Sequence, residues 1–113
     1  MVMIDSNNGK TLASVPIGEG VDANSFDPAT GLAFASCGAG TVTIAHEQGH
    51  KLAVVQTLVT QRGSRTMTID PKTHKLYLAG ASFEPELAQS ADGRHPSPQA
   101  IPNTFKVLVY GPE

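Results

Sequence analysis

A chain of 113 residues, 40% apolar and 16% charged, is long enough for one domain with a modest core. Its net charge of −2 and pI near 6.0 mark no nucleic-acid or anionic-membrane surface, and its apolar runs are too short to cross a bilayer as a helix. A single cysteine, Cys37, excludes an intrachain disulfide and leaves the redox compartment open.

Met1 leads directly into a strand-like segment, with no basic region and apolar stretch of the kind that opens a signal peptide. Val2 to Asp5 reads as that strand. Ser6 to Lys10 is a turn, because Asn and Gly accept positive φ. Thr11 to Ile17 reads as the next strand, broken by Gly18-Glu19-Gly20. Val21 to Asp27 is a third, ended by Pro28. In the following turn Asp27 accepts from amides ahead of it, Pro28 pre-sets φ, and Gly31 takes the left-handed position. Leu32 to Ser36 returns as a strand, Gly38-Ala39-Gly40 turns, and Thr41 to His46 follows with β-branched residues on alternate sides. Glu47 to Lys51 reads as a loop and Leu52 to Thr60 as another strand.

The pattern then restarts. Asp27-Pro28-Ala29-Thr30 recurs 43 residues later as Asp70-Pro71-Lys72-Thr73. The same offset aligns Gly20 with Gly63, Leu12 with Val55, Phe26 with Ile69, and Phe34 with Tyr77. Ser64 to Asp70 therefore matches Val21 to Asp27, and Lys75 to Ala79 matches Leu32 to Ser36. A long insertion, residues 81–104, follows where the first repeat has only Cys37 to Gly40. It holds four of the eight prolines. Phe83 to Ser90 has room for one helical turn, and Phe105 to Tyr110 resumes as a strand. Short strands at a period near 43 residues point to an all-β chain of β-propeller blades, each a four-stranded antiparallel sheet. Propellers close with about 4–8 blades, so the expectation is an incomplete ring. Residues 1–18 form a half blade and 19–61 a full one. Residues 62–113 form a blade with its last strand missing.

These residues resemble the YVTN-type β-propeller repeat family, whose members include seven-bladed bacterial proteins. Val2-Met3-Ile4-Asp5, Asn8-Gly9-Lys10 and Ala13-Ser14-Val15-Pro16-Ile17-Gly18 are similar to that family's V-x-V-I-D, G-K and I-P-x-G passage. Phe26-Asp27-Pro28 and Thr30-Gly31-Leu32 are similar to the inner strand and turn that follow it. The resemblance covers most of the chain outside the insertion. It implies a toroid of radially arranged blades, in proteins often periplasmic or secreted and often without known catalysis. The chain departs from the family in its length and at His74, which stands where the family has Gly.

The strand after the Gly20 or Gly63 turn is expected innermost, lining a central channel. That places Asp22 and Arg65 at equivalent positions near the channel mouth, with Asn24 on the same inner strand as Asp22. These three are the expected ligand-binding residues. As a structural pair, Asp22 and Arg65 would form an ion pair between repeats worth about 0–1 kcal/mol. His46-Glu47-Gln48-Gly49-His50 has the spacing of a helical zinc motif, in which both histidines must share one helix face. Gly49 and the Thr-Val-Thr-Ile run before it favour a hairpin, so no metal is assigned. His74, in a turn, and His95, in the proline-rich loop, read as solvated. Cys37 reads as a small buried residue, and no cofactor or catalytic residue is assigned.

The expected function is an interaction or ligand-binding module that recognises a protein or small molecule through the 81–104 loop and the channel mouth. Two alternatives stay open. One is part of a propeller hydrolase or lactonase, active once the ring is completed. The other is an inactive truncated remnant. Exposed apolar faces and strand edges invite association. The expected partner is therefore a second copy, or a missing propeller segment, with Val2–Ile4 or Phe105–Tyr110 joining its sheet.

Overall fold

A computed structural model describes residues 1–85, 91–94 and 97–112. The described residues form nine strands and no helix. β1 (Val2–Ile4) and β2 (Thr11–Ser14) make a first, two-stranded sheet. β3 (Val21–Asp27), β4 (Leu32–Cys37), β5 (Thr41–Gln48) and β6 (Lys51–Val59) make a second sheet in chain order. β7 (Met67–Asp70), β8 (Lys75–Gly80) and β9 (Lys106–Tyr110) make the third. Every pairing between strands is antiparallel. The three sheets do not close into a ring among the described residues.

Register decides which side chains meet. Phe34 lies opposite Ile44, and Ser36 opposite Val42, so these four share one face of the second sheet. In the third sheet Leu76 pairs with Ile69 and Tyr110, and Leu78 with Met67 and Leu108. These two faces meet and form the core: Phe34, Val42, Ile44, Leu76 and Leu78 are buried, with Leu32, Leu58, Met67, Ile69, Leu108 and Tyr110 packed around them. The opposite face of the second sheet carries small residues, Ala33, Ala35 and Cys37 of β4 against Ala45, Thr43 and Thr41 of β5. Small side chains let the first sheet's exit segment come close: the Gly18 N–H donates to Thr43 Oγ1 at 3.3 Å. A Cβ at Gly18 would stand 2.6 Å from Thr41 Oγ1.

The repeat in sequence is a repeat in geometry. The Ala29 amide donates to Asp27 Oδ1 at 3.0 Å, and the Lys72 amide to Asp70 Oδ1 at 3.0 Å. Thr30 Oγ1 donates to Asp27 Oδ2 at 2.9 Å, and Thr73 Oγ1 to Asp70 Oδ2 at 2.7 Å. Each turn ends on a left-handed residue, Gly31 at φ 69° and His74 at φ 58°. Both carboxyls lie below their ordinary value. At Asp27 burial pushes upward, and the bonds from Thr30, His74 and the Ala29 amide outweigh it. At Asp70 the Lys72 amide and the Thr73 hydroxyl pull downward and outweigh burial.

Four local expectations are corrected. β5 runs through Glu47 and Gln48, so the loop expected at 47–51 shrinks to Gly49-His50 between Gln48 and Lys51. Gly49, at φ 62°, sits at the first central position, as a type II′ hairpin turn requires. β2 stops at Ser14 rather than Ile17, short of Pro16, which has no N–H to give to a ladder. β7 starts at Met67, not Ser64, because the preceding backbone is turned toward the second sheet: the Arg65 carbonyl accepts from Ser36 Oγ. Phe83 forms an antiparallel bridge with Ala100 rather than starting a helical turn; residues 86–90 of that expectation, and His95, lie outside the described residues.

His74 is the fifth correction. It is not merely solvated. Its Nδ1 lies 2.6 Å from Oδ2 of Asp27, whose side chain is 1% exposed. An ionised carboxylate only accepts, so Nδ1 carries the hydrogen. The left-handed residue of the second turn thus ties the third sheet to the turn of the second.

Leu78 is fully buried at the meeting of the two sheets. Leu78→Ala should lower unfolding free energy by about 2–5 kcal/mol, read from urea denaturation with an unchanged slope. The tie to Asp27 sets a pH dependence. A carboxyl whose folded-state value lies below 3.8 contributes stability present above 3.8 and lost as the pH falls through the folded-state value. Asp27→Asn should therefore flatten the acid limb of the stability–pH curve, while His74→Ala lowers the urea midpoint at neutral pH. An acid limb as steep in Asp27→Asn as in the wild type would disprove the assignment.

Candidate functional site

The ends of β4 and β8 and the turns beside them build one surface. The Gly38 N–H donates to the Gly20 carbonyl at 2.8 Å, and the Gly63 N–H to the Gly38 carbonyl at 2.8 Å. The three turns are thus linked in line. The insertion leaves β8 beside them. Its stem is a short antiparallel ladder: the Glu84 N–H donates to the Gln99 carbonyl at 2.9 Å, and the Ile101 N–H to the Ser82 carbonyl at 2.8 Å. Thr104 Oγ1 closes the base. It accepts from the Ser82 N–H at 3.0 Å and donates to the Ile101 carbonyl at 2.7 Å. Gln61 Nε2 donates to the Ala81 carbonyl at 2.7 Å and anchors the stem to the turn.

Between stem and turns lies an open groove of about 680 Å³. Gly38, Gly63 and the Gln61–Arg62 segment line one wall; Ala81 to Pro85, with Ser97 and Pro98, line the other. Gly63 has φ 83°, and a Cβ there would lie 2.6 Å from the Phe83 ring. The ring therefore lies directly on the glycine backbone. Arg62, Arg65 and Glu84 bring charge to the groove, and Ser82 and Ser97 bring hydroxyls.

The expected site residues are distributed unequally. Arg65 lines the groove and is exposed. Its stem passes over the second sheet's turn, with Cδ 3.7 Å from where a Gly38 Cβ would be. Asp22 and Asn24 are exposed on β3 and do not line the groove. Asp22 does not pair with Arg65: its Oδ2 accepts from Thr66 Oγ1 at 3.3 Å, the residue next to Arg65. The charge expected between the sheets is thus replaced by a hydroxyl.

The other sequence candidates resolve more simply. His46 is on β5 and His50 in the hairpin turn after it, so the two do not share a helical face. Among the described residues no three His, Cys, Asp or Glu side chains come together as metal ligands. Cys37 is fully buried, its Sγ 3.6 Å from the Ala35 carbonyl. The sequence signal for the groove was the insertion itself, a long proline-rich link where the sister repeat has a four-residue one. No signal marked Phe83 or Gln61, because their partners, Gly63 and Ala81, are set by tertiary contact.

No family model, curated protein or solved structure matches this chain.

Gly63→Ala forces a left-handed alanine, at about 1–2 kcal/mol, and drives a methyl into the Phe83 ring. The groove wall should then loosen. Amide hydrogen exchange at Glu84 and Ile101 should accelerate more than at Leu78; equal protection in the variant would show that Phe83 does not rest on Gly63.

Proposed function

We propose that this chain is a β-propeller-type binding module of the YVTN-like kind, and that the groove beside the insertion is its recognition site. The observation that carries the binding reading is the groove: a long insertion stem, fixed by Gln61 and Thr104, faces linked turns across about 680 Å³. Recognition residues commonly sit on loops held by a rigid sheet scaffold, and ligand sites are concave with a few convergent polar groups. The propeller reading is supported by the 43-residue repeat and by antiparallel sheets whose turns share one geometry.

Arg65, like Arg62, is a solvent-facing cation of the groove, and Phe83 offers an apolar surface in the same groove. That pairing suits an organic anion with a planar or apolar body, its carboxylate on the guanidinium. Asp22 and Asn24 belong to this reading as residues of the neighbouring inner strand, facing the channel that a completed ring would enclose. The hydrolase or lactonase alternative needs ligands from further inner strands and has no specific observation in its favour.

The test is a nitrogen–proton correlation titration with acetate, succinate, citrate and benzoate as probes. Amide signals of Gly38, Gly63, Ser82 and Phe83 should shift together, most with benzoate, and Arg65→Met should weaken that response several-fold. If every probe leaves those four amides unmoved, the groove is not a recognition site.

A further inference from the structure

We propose that the outer face of the third sheet docks, head to tail, on the outer face of the first sheet in a second copy of this chain. The chain itself shows what covers such a face. By the 43-residue offset, Phe34 corresponds to Tyr77 and Ser36 to Ala79. Cys37 pairs with Thr41, and Gly80, at the same offset, pairs with Lys106. Counting along both ladders, Val42 corresponds to Val107 and Ile44 to Val109. In the second sheet this face is covered by the third: Val42 is 0% and Ile44 8% exposed. In the third sheet the same positions are open, with Val107 54% and Val109 52% exposed. They share a face with Tyr77 and Ala79, across the ladder from them.

The complementary surface lies at the other end of the chain. Met3 and Ala13 pair and are half-buried, while Val2 with Ser14, and Ile4 with Thr11, form the exposed side of the first sheet. Val2 is 54% and Ile4 57% exposed. The offset that aligns Leu12 with Val55 makes β2 the counterpart of β6, and so β1 the counterpart of β5 and β9. Followed through both ladders, Val2 and Ile4 correspond to Leu108 and Tyr110, the third-sheet residues that pack against the second sheet. Bringing Val2 and Ile4 onto Val107 and Val109 repeats the step that already relates the first sheet to the second and the second to the third. Val107 and Val109 on one patch and Val2 and Ile4 on the other are exposed and apolar, so covering them removes apolar area from water. The contact joins two different surfaces, so it generates a closed ring or an open chain of copies rather than a two-fold dimer.

Sedimentation across the micromolar range tests this. The wild type should exceed its 11.8 kDa monomer mass increasingly with concentration. Val109→Lys and Ile4→Lys should each remain monomeric, with β-sheet circular dichroism unchanged. An equimolar mixture of the two should form a one-to-one dimer, because the Ile4→Lys chain keeps its third-sheet face and the Val109→Lys chain keeps its first-sheet face. Should either lysine variant lose its β signal, Val109→Thr and Ile4→Thr replace them, with at least a tenfold weaker association expected in each. A wild type monomeric throughout overturns the proposal. So does association that neither substitution weakens, as pairing through strand edges or capture of unrelated sheets would give. So does a mixture that stays monomeric.

Discussion

The carboxylate of Asp27 is the point on which the arrangement of the second and third sheets depends. It is almost entirely removed from solvent, yet it accepts from Ala29 and Thr30 of its own turn and from His74 of the next repeat. A buried carboxylate is tolerable only with such partners. Two of the three come from local sequence and shape the turn. The third comes from 47 residues away and fixes where the third sheet's turn must lie. His74 holds a left-handed φ that costs a non-glycine residue free energy. The bond to Asp27 offsets that cost, which is the physical reason a histidine can stand where the sister turn has Gly31.

At the opposite end of the strands the sheets are joined by backbone rather than by charge. Gly20, Gly38 and Gly63 hand hydrogen bonds from one turn to the next, and Ser36 reaches the Arg65 carbonyl. Glycine at these positions lets main chain approach main chain. The apolar core lies between the two ends and supplies most of the non-directional stabilisation. The groove therefore stands on a wall held at both ends, and ligand contact there would need little ordering of the turns that line it.

Strands and turns were legible where local chemistry decides them. Val21 to Asp27 is a strand that ends at Pro28, and Gly31 is left-handed, both as the residues require. The strand count of two, four and three follows the repeat. What was not legible is what depends on a partner distant in sequence. Ser64 and Arg65 align by the repeat with the strand start at Val21 and Asp22, but Ser36 draws the Arg65 carbonyl away. Asp22 and Arg65 sit at equivalent positions, but the residue within reach of Asp22 is Thr66. His74 looked like a polar turn residue until Asp27 was placed beside it.

The same distinction explains why the sheet faces carry more information than the site residues. An isolated valine at 107 or 109 is an ordinary exposed strand residue, and scattered apolar exposure is normal on any protein. Its meaning comes from comparison within the chain. At the equivalent position in the second sheet, the side chain is buried, and what buries it is a sheet of the same repeat. The repeat thus allows a comparison at matched register, although β5 has β6 beside it where β9 is an edge strand. Under the docking proposal, a face that is closed in one sheet and open in the next, with the side chains still apolar, is where the second copy would sit.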